Sequence, residues 1–137
     1  MLIRWRVLRP GFPRETAQFA GDLDATTFHM GVFLGGDLVG VSSVYEVACP
    51  VEPTATKAMQ LRGMATTEEA RGSGCGRRLL LACMDYAREK GCDWMWCNAR
   101  VSAVPFYAKH GWKQRGVEFE IPTVGPHFHM VLQLDQA

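Results

Sequence analysis

Apolar runs of strand length, parted by glycine, proline and aspartate turns, recur along this chain, and three stretches read as helices. Leu2 to Leu8 sets Ile3, Trp5 and Val7 against Arg4 and Arg6, a strand with one buried face. Pro10-Gly11 stops it, and Pro13 suits the first turn of a short helix running to about Ala20. Gly21 to Asp24 is a turn. Thr27 to Leu34 and Leu38 to Val47 then read as a hairpin joined by Gly35-Gly36-Asp37. Cys49 to Thr56, with Pro50 and Pro53, is a loop before a strand at Met59 to Thr66. Arg77 to Lys90 places Leu80, Cys83, Met84 and Ala87 on one helical face and stops at Gly91. Trp94 to Cys97 is a short strand, and Val101 to His110 a helix that ends at Gly111. Trp112 to Ile121 and His127 to Leu134 are two strands around a Thr123-Val124-Gly125-Pro126 turn. The order β-α-ββ-β-α-β-α-β-β predicts an α/β (α+β) fold: a mixed sheet of seven strands with helices packed on it.

Between the Met59–Thr66 strand and the helix after it lies Arg71-Gly72-Ser73-Gly74-Cys75-Gly76-Arg77. Glycine at every second position suits neither helix nor strand, but it lets the backbone curl and approach a ligand. Emptied onto a helix N-terminus, such a loop aims several N–H groups and the positive end of the helix dipole at one spot. That is an anion site, most often for phosphate. Arg71 and Arg77 add side-chain charge. A Rossmann fingerprint would need glycine where Arg77 stands, and a Walker A loop would need Gly-Lys-Ser/Thr. Neither fits, which excludes the common nucleotide-binding α/β classes.

Composition narrows the picture. The 137 residues are the size of one domain, taken here as 1–137, with 47% hydrophobic and 21% charged residues. A net charge of +1 gives no footprint for nucleic acid or an anionic membrane. No apolar run reaches the ~20 residues that span a bilayer, and Met-Leu-Ile-Arg-Trp-Arg lacks the apolar segment of a secretory leader. Cys49, Cys75, Cys83, Cys92 and Cys97 are odd in number and form no C-x-x-C pair, so reduced thiols in a cytoplasmic protein are expected.

What remains of the glycine loop is R-x-x-G-x-G, as Arg71-x-x-Gly74-x-Gly76, and a second motif follows at Asn98. There the chain shows Asn98, Ala103, Phe106-Tyr107, Lys109 and Gly111-Trp112 in order. Together the two motifs resemble the GNAT superfamily of N-acetyltransferases. Gln60-Leu61-Arg62-Gly63-Met64-Ala65 and Gly125-Pro126-His127-x-x-Met130 are similar to further features of small members. The resemblance covers roughly Val39 to Leu134. The region before it fits the family's strand-helix layout but is shorter, with room for one helix.

This resemblance implies a mostly antiparallel sheet with a splayed cofactor cleft, and acetyl-CoA as co-substrate without a metal. Backbone from Arg71 through Gly72, Ser73, Gly74, Cys75 and Gly76 to Arg77 would hold the pyrophosphate. Main-chain groups of Met64, Ala65 and Thr66 would contact pantetheine and the acetyl carbonyl. Asn98 would hydrogen-bond the pantetheine amide. Tyr107 is the expected general acid, because a phenol of pKa ~10 can protonate a departing thiolate of ~8.5. The general base is open among Glu46, Glu118, Glu120, His127, His129 and a bound water. Glu118 and Glu120 share one strand face, as do His127 and His129. His-x-His with no third ligand argues against a metal. Cys75 sits where a thiol pKa falls, yet a packing role is expected of it, because transfer in this family is direct.

Two functional classes fit these residues. One is an N-acetyltransferase acting on a primary amine of a small molecule or protein. The other is a non-catalytic acyl-CoA-binding module on the same fold. The N-terminal helix, the Cys49 to Lys57 loop and the Glu118 to His129 turn would form the acceptor pocket, with Phe119 and Phe128 as lining or core. The resemblance also implies pairing of C-terminal strands into a homodimer.

Overall fold

The computed structural model describes residues 28–34, 37–68 and 72–134. Their elements, in order, are β1 (Phe28–Leu34), β2 (Asp37–Glu46), β3 (Ala58–Thr66), α1 (Cys75–Glu89), β4 (Trp94–Arg100), a 3-10 turn (Val101–Ala103), α2 (Val104–Lys109), β5 (Lys113–Ile121) and β6 (Gly125–Gln133). The six strands hydrogen-bond in the order β1-β2-β3-β4-β6-β5. β1–β2, β4–β6 and β5–β6 are antiparallel, and β3–β4 is parallel. This is the expected mixed, mostly antiparallel sheet, with six strands among the described residues instead of seven. The Leu2 to Leu8 strand, the Pro13 to Ala20 helix, Gly35-Gly36 and Arg71 lie outside the described residues.

Several boundaries differ from the expected ones for identifiable reasons. α1 begins at Cys75, not Arg77, because the Gly74 carbonyl already accepts the Arg78 N–H at 3.0 Å. β4 continues past Cys97 to Arg100, paired with β6 as far as Arg100↔His127. The Val101 to His110 helix divides into the 3-10 turn and α2, with a proline at the start of the α-helical part. The last turn is shorter than expected: Gly125 and Pro126 already pair with Ile121 and Glu120 as strand residues. Thr123 makes that turn with φ 65°.

Both helices end alike. In α1, Cys92 N–H donates to the Ala87 carbonyl and Gly91 N–H to Arg88; in α2, Trp112 N–H donates to Tyr107 and Gly111 N–H to Ala108. These are Schellman closures, and Gly91 (φ 78°) and Gly111 (φ 93°) take the left-handed position each requires. Tyr107 and Trp112 rings meet across the second closure, 5.3 Å apart.

The described residues form two compact units, 28–45 with 61–86 and 46–60 with 87–134. In the first, α1 buries Leu79, Leu80 and Cys83, and the Cys83 thiol lies 2.9 Å from the Ser42 hydroxyl and 3.7 Å from Met30 Sδ. Burial pushes this thiol up to about 11, against a smaller lowering by Ser42. Gly40 has no room for a side chain: a Cβ would lie 2.8 Å from Val32 and 3.0 Å from Leu79. In the second, Ala58, Trp94, Trp96 and Val131 form a core on one face of the strands, covered by Cys49, Val51 and Ala55 of the loop after β2. Trp96 Nε1 donates to the Val47 carbonyl at 2.9 Å, which fixes the start of that loop.

Asp93 ties the entries of β3 and β4 together in this unit. Its carboxylate accepts Thr56 N–H and hydroxyl, both at 2.9 Å, and Lys57 N–H at 3.0 Å. Its own N–H donates to the Lys57 carbonyl at 2.9 Å. The parallel register Ala58↔Trp94 starts one residue later on each strand. Partial burial alone would raise the Asp93 pKa, but the donors from Thr56 and Lys57 outweigh it and hold the carboxyl below its ordinary value. Replacing Asp93 by Ala is expected to cost about 1–2 kcal/mol in a urea titration, since these donors are wet enough to rehydrate. The folded pKa is the lower one, so the contribution is complete above the unfolded value of about 3.9 and fades as pH falls through the folded value. The stability gap between wild type and Asp93→Asn should therefore hold from neutrality to about pH 4 and close below it.

Candidate functional site

In the first unit β3 delivers the chain to the glycine loop. Gly63, inside β3, has φ 66°, a left-handed conformation that suits glycine. Met64 and Thr66 after it are half-buried and Ala65 is buried. Gly72 and Gly74 have φ 81° and 83°, and nothing lies within 4 Å of where a Cβ would be on either. These positive angles demand glycine, and the space beside them is open for a ligand. Gly72, Ser73, Gly74, Arg77 and Arg78 are exposed. No acidic residue stands in the first turn of α1, so no side chain of that turn competes for the dipole end. Cys75 does not face this surface. It is 1% exposed, packed with Val39 and Val32, and accepts a hydrogen bond from the Ser73 hydroxyl at 3.0 Å.

The second unit holds Asn98 and Tyr107, and the β4–β6 register sorts their surroundings onto two faces. Cross-strand partners point the same way, and neighbours along a strand point oppositely. Asn98↔His129 and Arg100↔His127 share one face with Trp96↔Val131; Cys97↔Met130 and Ala99↔Phe128 share the other. Asn98 is exposed. Tyr107 is buried, with its ring against Phe106 and Trp112, and its hydroxyl hydrogen-bonds the Cys97 thiol. Burial pushes that thiol far up, and the phenol only partly offsets it. Cys97 is thus a neutral partner that orients the phenol.

The base candidates separate clearly. Glu46 pairs with Lys57 at 3.5 Å. Glu118 and Glu120 are exposed and alternate with Phe119, so they leave β5 on the face away from it. Phe119 pairs with His127 and stacks on His129, centroids 4.5 Å apart, so these three share a face. His127 is buried, with Nδ1 2.7 Å from the Gly125 carbonyl. His129 Nδ1 is buried with no hydrogen-bond partner, and burial lowers the pKa of the ring. Phe128 lies on the opposite face of β6. Among the described residues, no group of three or more His, Cys, Asp or Glu is placed to hold a metal, and no helix is long and apolar enough to cross a membrane.

Sequence reasoning missed two features here. The link between Cys97 and Tyr107 joins a strand to a helix and leaves no local signal. The His–Phe–His group depends on a slip in the β5–β6 register between Arg115 and Phe119, where Gly116 takes φ 75°. That glycine inside a strand pattern was its one legible sign.

Comparison with known proteins bears on the whole chain. Residues 3–112 match the model of the acetyltransferase (GNAT) family. The chain is 38% identical over 128 residues to the uncharacterized N-acetyltransferase YitI of Bacillus subtilis (strain 168), covering 93% of this chain and 85% of the relative. Its fold is similar to a provisionally named N-acetyltransferase from Lactobacillus plantarum, with TM-score 0.79, 22% identity and coverage of 97% and 87% of the two chains. It is also similar to an aminoglycoside 6'-N-acetyltransferase solved with coenzyme A, with TM-score 0.69, 13% identity and coverage of 90% and 82%. The glycine loop, the Asn98 to Trp112 motif and these matches agree: the chain belongs to the GNAT family of acetyltransferases.

Proposed function

We propose that this chain is an acetyl-CoA-dependent N-acetyltransferase in which a primary amine, of a small molecule or a protein, attacks the thioester directly. The observation that carries this is the loop at the head of α1: two left-handed glycines, open space beside them, and a first turn free of acidic residues. That arrangement suits the CoA pyrophosphate, held by N–H groups of Gly72 to Arg77 with Arg71 and Arg77 as counter-charges. The main chain of Met64, Ala65 and Thr66 would contact pantetheine and polarise the acetyl carbonyl, and Asn98 would bind the pantetheine amide. Tyr107 would protonate the CoA thiolate as the C–S bond breaks. We take residues 1–137 as a single GNAT domain. The free state of all five cysteines supports the reducing cytoplasm as its compartment.

A second reading, an acyl-CoA-binding module without turnover, is favoured by one observation: the Tyr107 hydroxyl is already engaged by Cys97. In the catalytic reading that bond aims the phenol instead of silencing it. Release of CoA in the presence of an amine decides between the two.

Isothermal titration of acetyl-CoA should show binding by the wild type and its loss in Gly74→Asp and Gly76→Asp, each of which puts a carboxylate where a pyrophosphate would lie. Wild-type protein with no heat and no thermal stabilisation by acetyl-CoA would remove the cofactor assignment. Tyr107→Phe should keep acetyl-CoA affinity and lower kcat by about 10²-fold, at the low end of general acid catalysis. Unchanged turnover would remove Tyr107 from the chemistry and leave the family untouched.

A further inference from the structure

His127 and His129 stand on one face of β6 with Phe119 against both rings. Their hydrogen bonding makes them chemically opposite. The Gly125 carbonyl, 2.7 Å from His127 Nδ1, can only accept, so Nδ1 carries the proton. The neutral ring then has its lone pair on Nε2. No described residue hydrogen-bonds Nε2, and it is not among the sealed, unpartnered polar atoms. His129 has the reverse problem. A proton on its buried Nδ1 would have no acceptor, so that nitrogen stays bare and Nε2 carries the hydrogen. The lowered pKa of this ring agrees. His129 is a neutral hydrogen-bond donor, and His127 is set to accept a proton.

Resting on the N-acetyltransferase reading above, we propose that His127 is the general base that takes the proton of the acceptor amine. Its place on the sheet supports this. His127 lies opposite Arg100, one step along the same face from Asn98 and His129, while Tyr107 and Cys97 occupy the other face of β4. Asn98, the proposed contact of the pantetheine amide, stands on the face of His127, so an amine reaching the thioester along this face meets the histidine. The exposed glutamates of β5 leave from the side opposite Phe119 and the histidines. By register the cationic side chains on the histidine face are Arg100, Lys113 and Arg115, the last paired with Glu52 at 3.6 Å, and His129 stands beside them as a neutral ring. Among the described residues of β4, β5 and β6, none on this face is a carboxylate that could take the proton first.

The step balances. His127 Nε2 takes a proton from the ammonium and frees its lone pair, which forms the C–N bond as the C–S bond breaks; Tyr107 gives its proton to sulfur, and the second proton lost by the nitrogen restores the phenol through solvent. Solvent then removes the proton from His127, so ammonium and acetyl-CoA become an acetamide, CoA thiol and a solvated proton.

The test uses the full chain with acetyl-CoA and a panel of primary amines, namely spermidine, glucosamine, lysine and a lysine-terminated peptide, followed by thiol release from about pH 7 to about pH 9.5. His127→Gln should lose 10²- to 10⁴-fold in kcat/KM near pH 7. The loss should shrink toward about pH 9.5, as an amine of pKa ~10.4 sheds its own proton. Acetyl-CoA affinity by titration should stay within about twofold. A loss equal at every pH, or full activity, would overturn the proposal while leaving the transferase reading intact. Absent acetyl-CoA binding by the wild type would instead sink the transferase reading, and this proposal with it. A check independent of any acceptor is the histidine tautomer seen by ¹⁵N NMR: neutral His127 should carry its proton on Nδ1, and a proton on Nε2 would also overturn the proposal.

Discussion

A single carboxylate sets where the two central strands begin. Parallel strands have no hairpin to align them, so their register must be imposed from elsewhere. Here Asp93 binds the backbone at Thr56 and Lys57, just before β3, while its own backbone leads into β4. Lys57 repeats the clamp from the other strand, donating to the Lys90 carbonyl at 2.6 Å. The parallel pairing that follows, Ala58 to Gln60 against Trp94 to Trp96, inherits its phase from these bonds. A one-residue slip would exchange the faces of β4, moving Asn98 to the side of Tyr107 and Cys97 to the side of the histidines. The sorting of side chains between the two faces thus depends on polar contacts remote from either.

That division gives β4 a double duty. Its even-numbered residues from Trp96 to Arg100 lie with the histidines, and Cys97 and Ala99 lie with the helix that carries Tyr107.

What could be read from the chain was what local chemistry writes. Gly72 and Gly74 were legible because left-handed backbone has few occupants other than glycine. Gly91 and Gly111 marked helix ends for the same reason. The Phe106-Tyr107 pair was found through the resemblance of the Asn98 to Trp112 stretch to the family's motif. Choosing among the base candidates was beyond reach, because it rests on a carbonyl turned back onto the ring two residues along the same strand and on which of two ring nitrogens is sealed. The α1 start was misplaced since glycine's low propensity hid that Gly76 lies within the first turn. The engagement of Tyr107 by Cys97 was invisible because burial, unlike spacing, is a property of the folded chain.

The glycine bulge of β5 has a further consequence. Among the described strands β5 is an outer one, and its outward backbone groups could template another chain. The Gly116 slip that brings Phe119 to the histidines also bends this edge, and Lys113, Arg115, Glu118 and Glu120 line it with charge of both signs. A bent, charged border is a poor seed for aggregation. The residue that shapes the histidine group therefore also protects the open side of the sheet, so a change at Gly116 would disturb both at once.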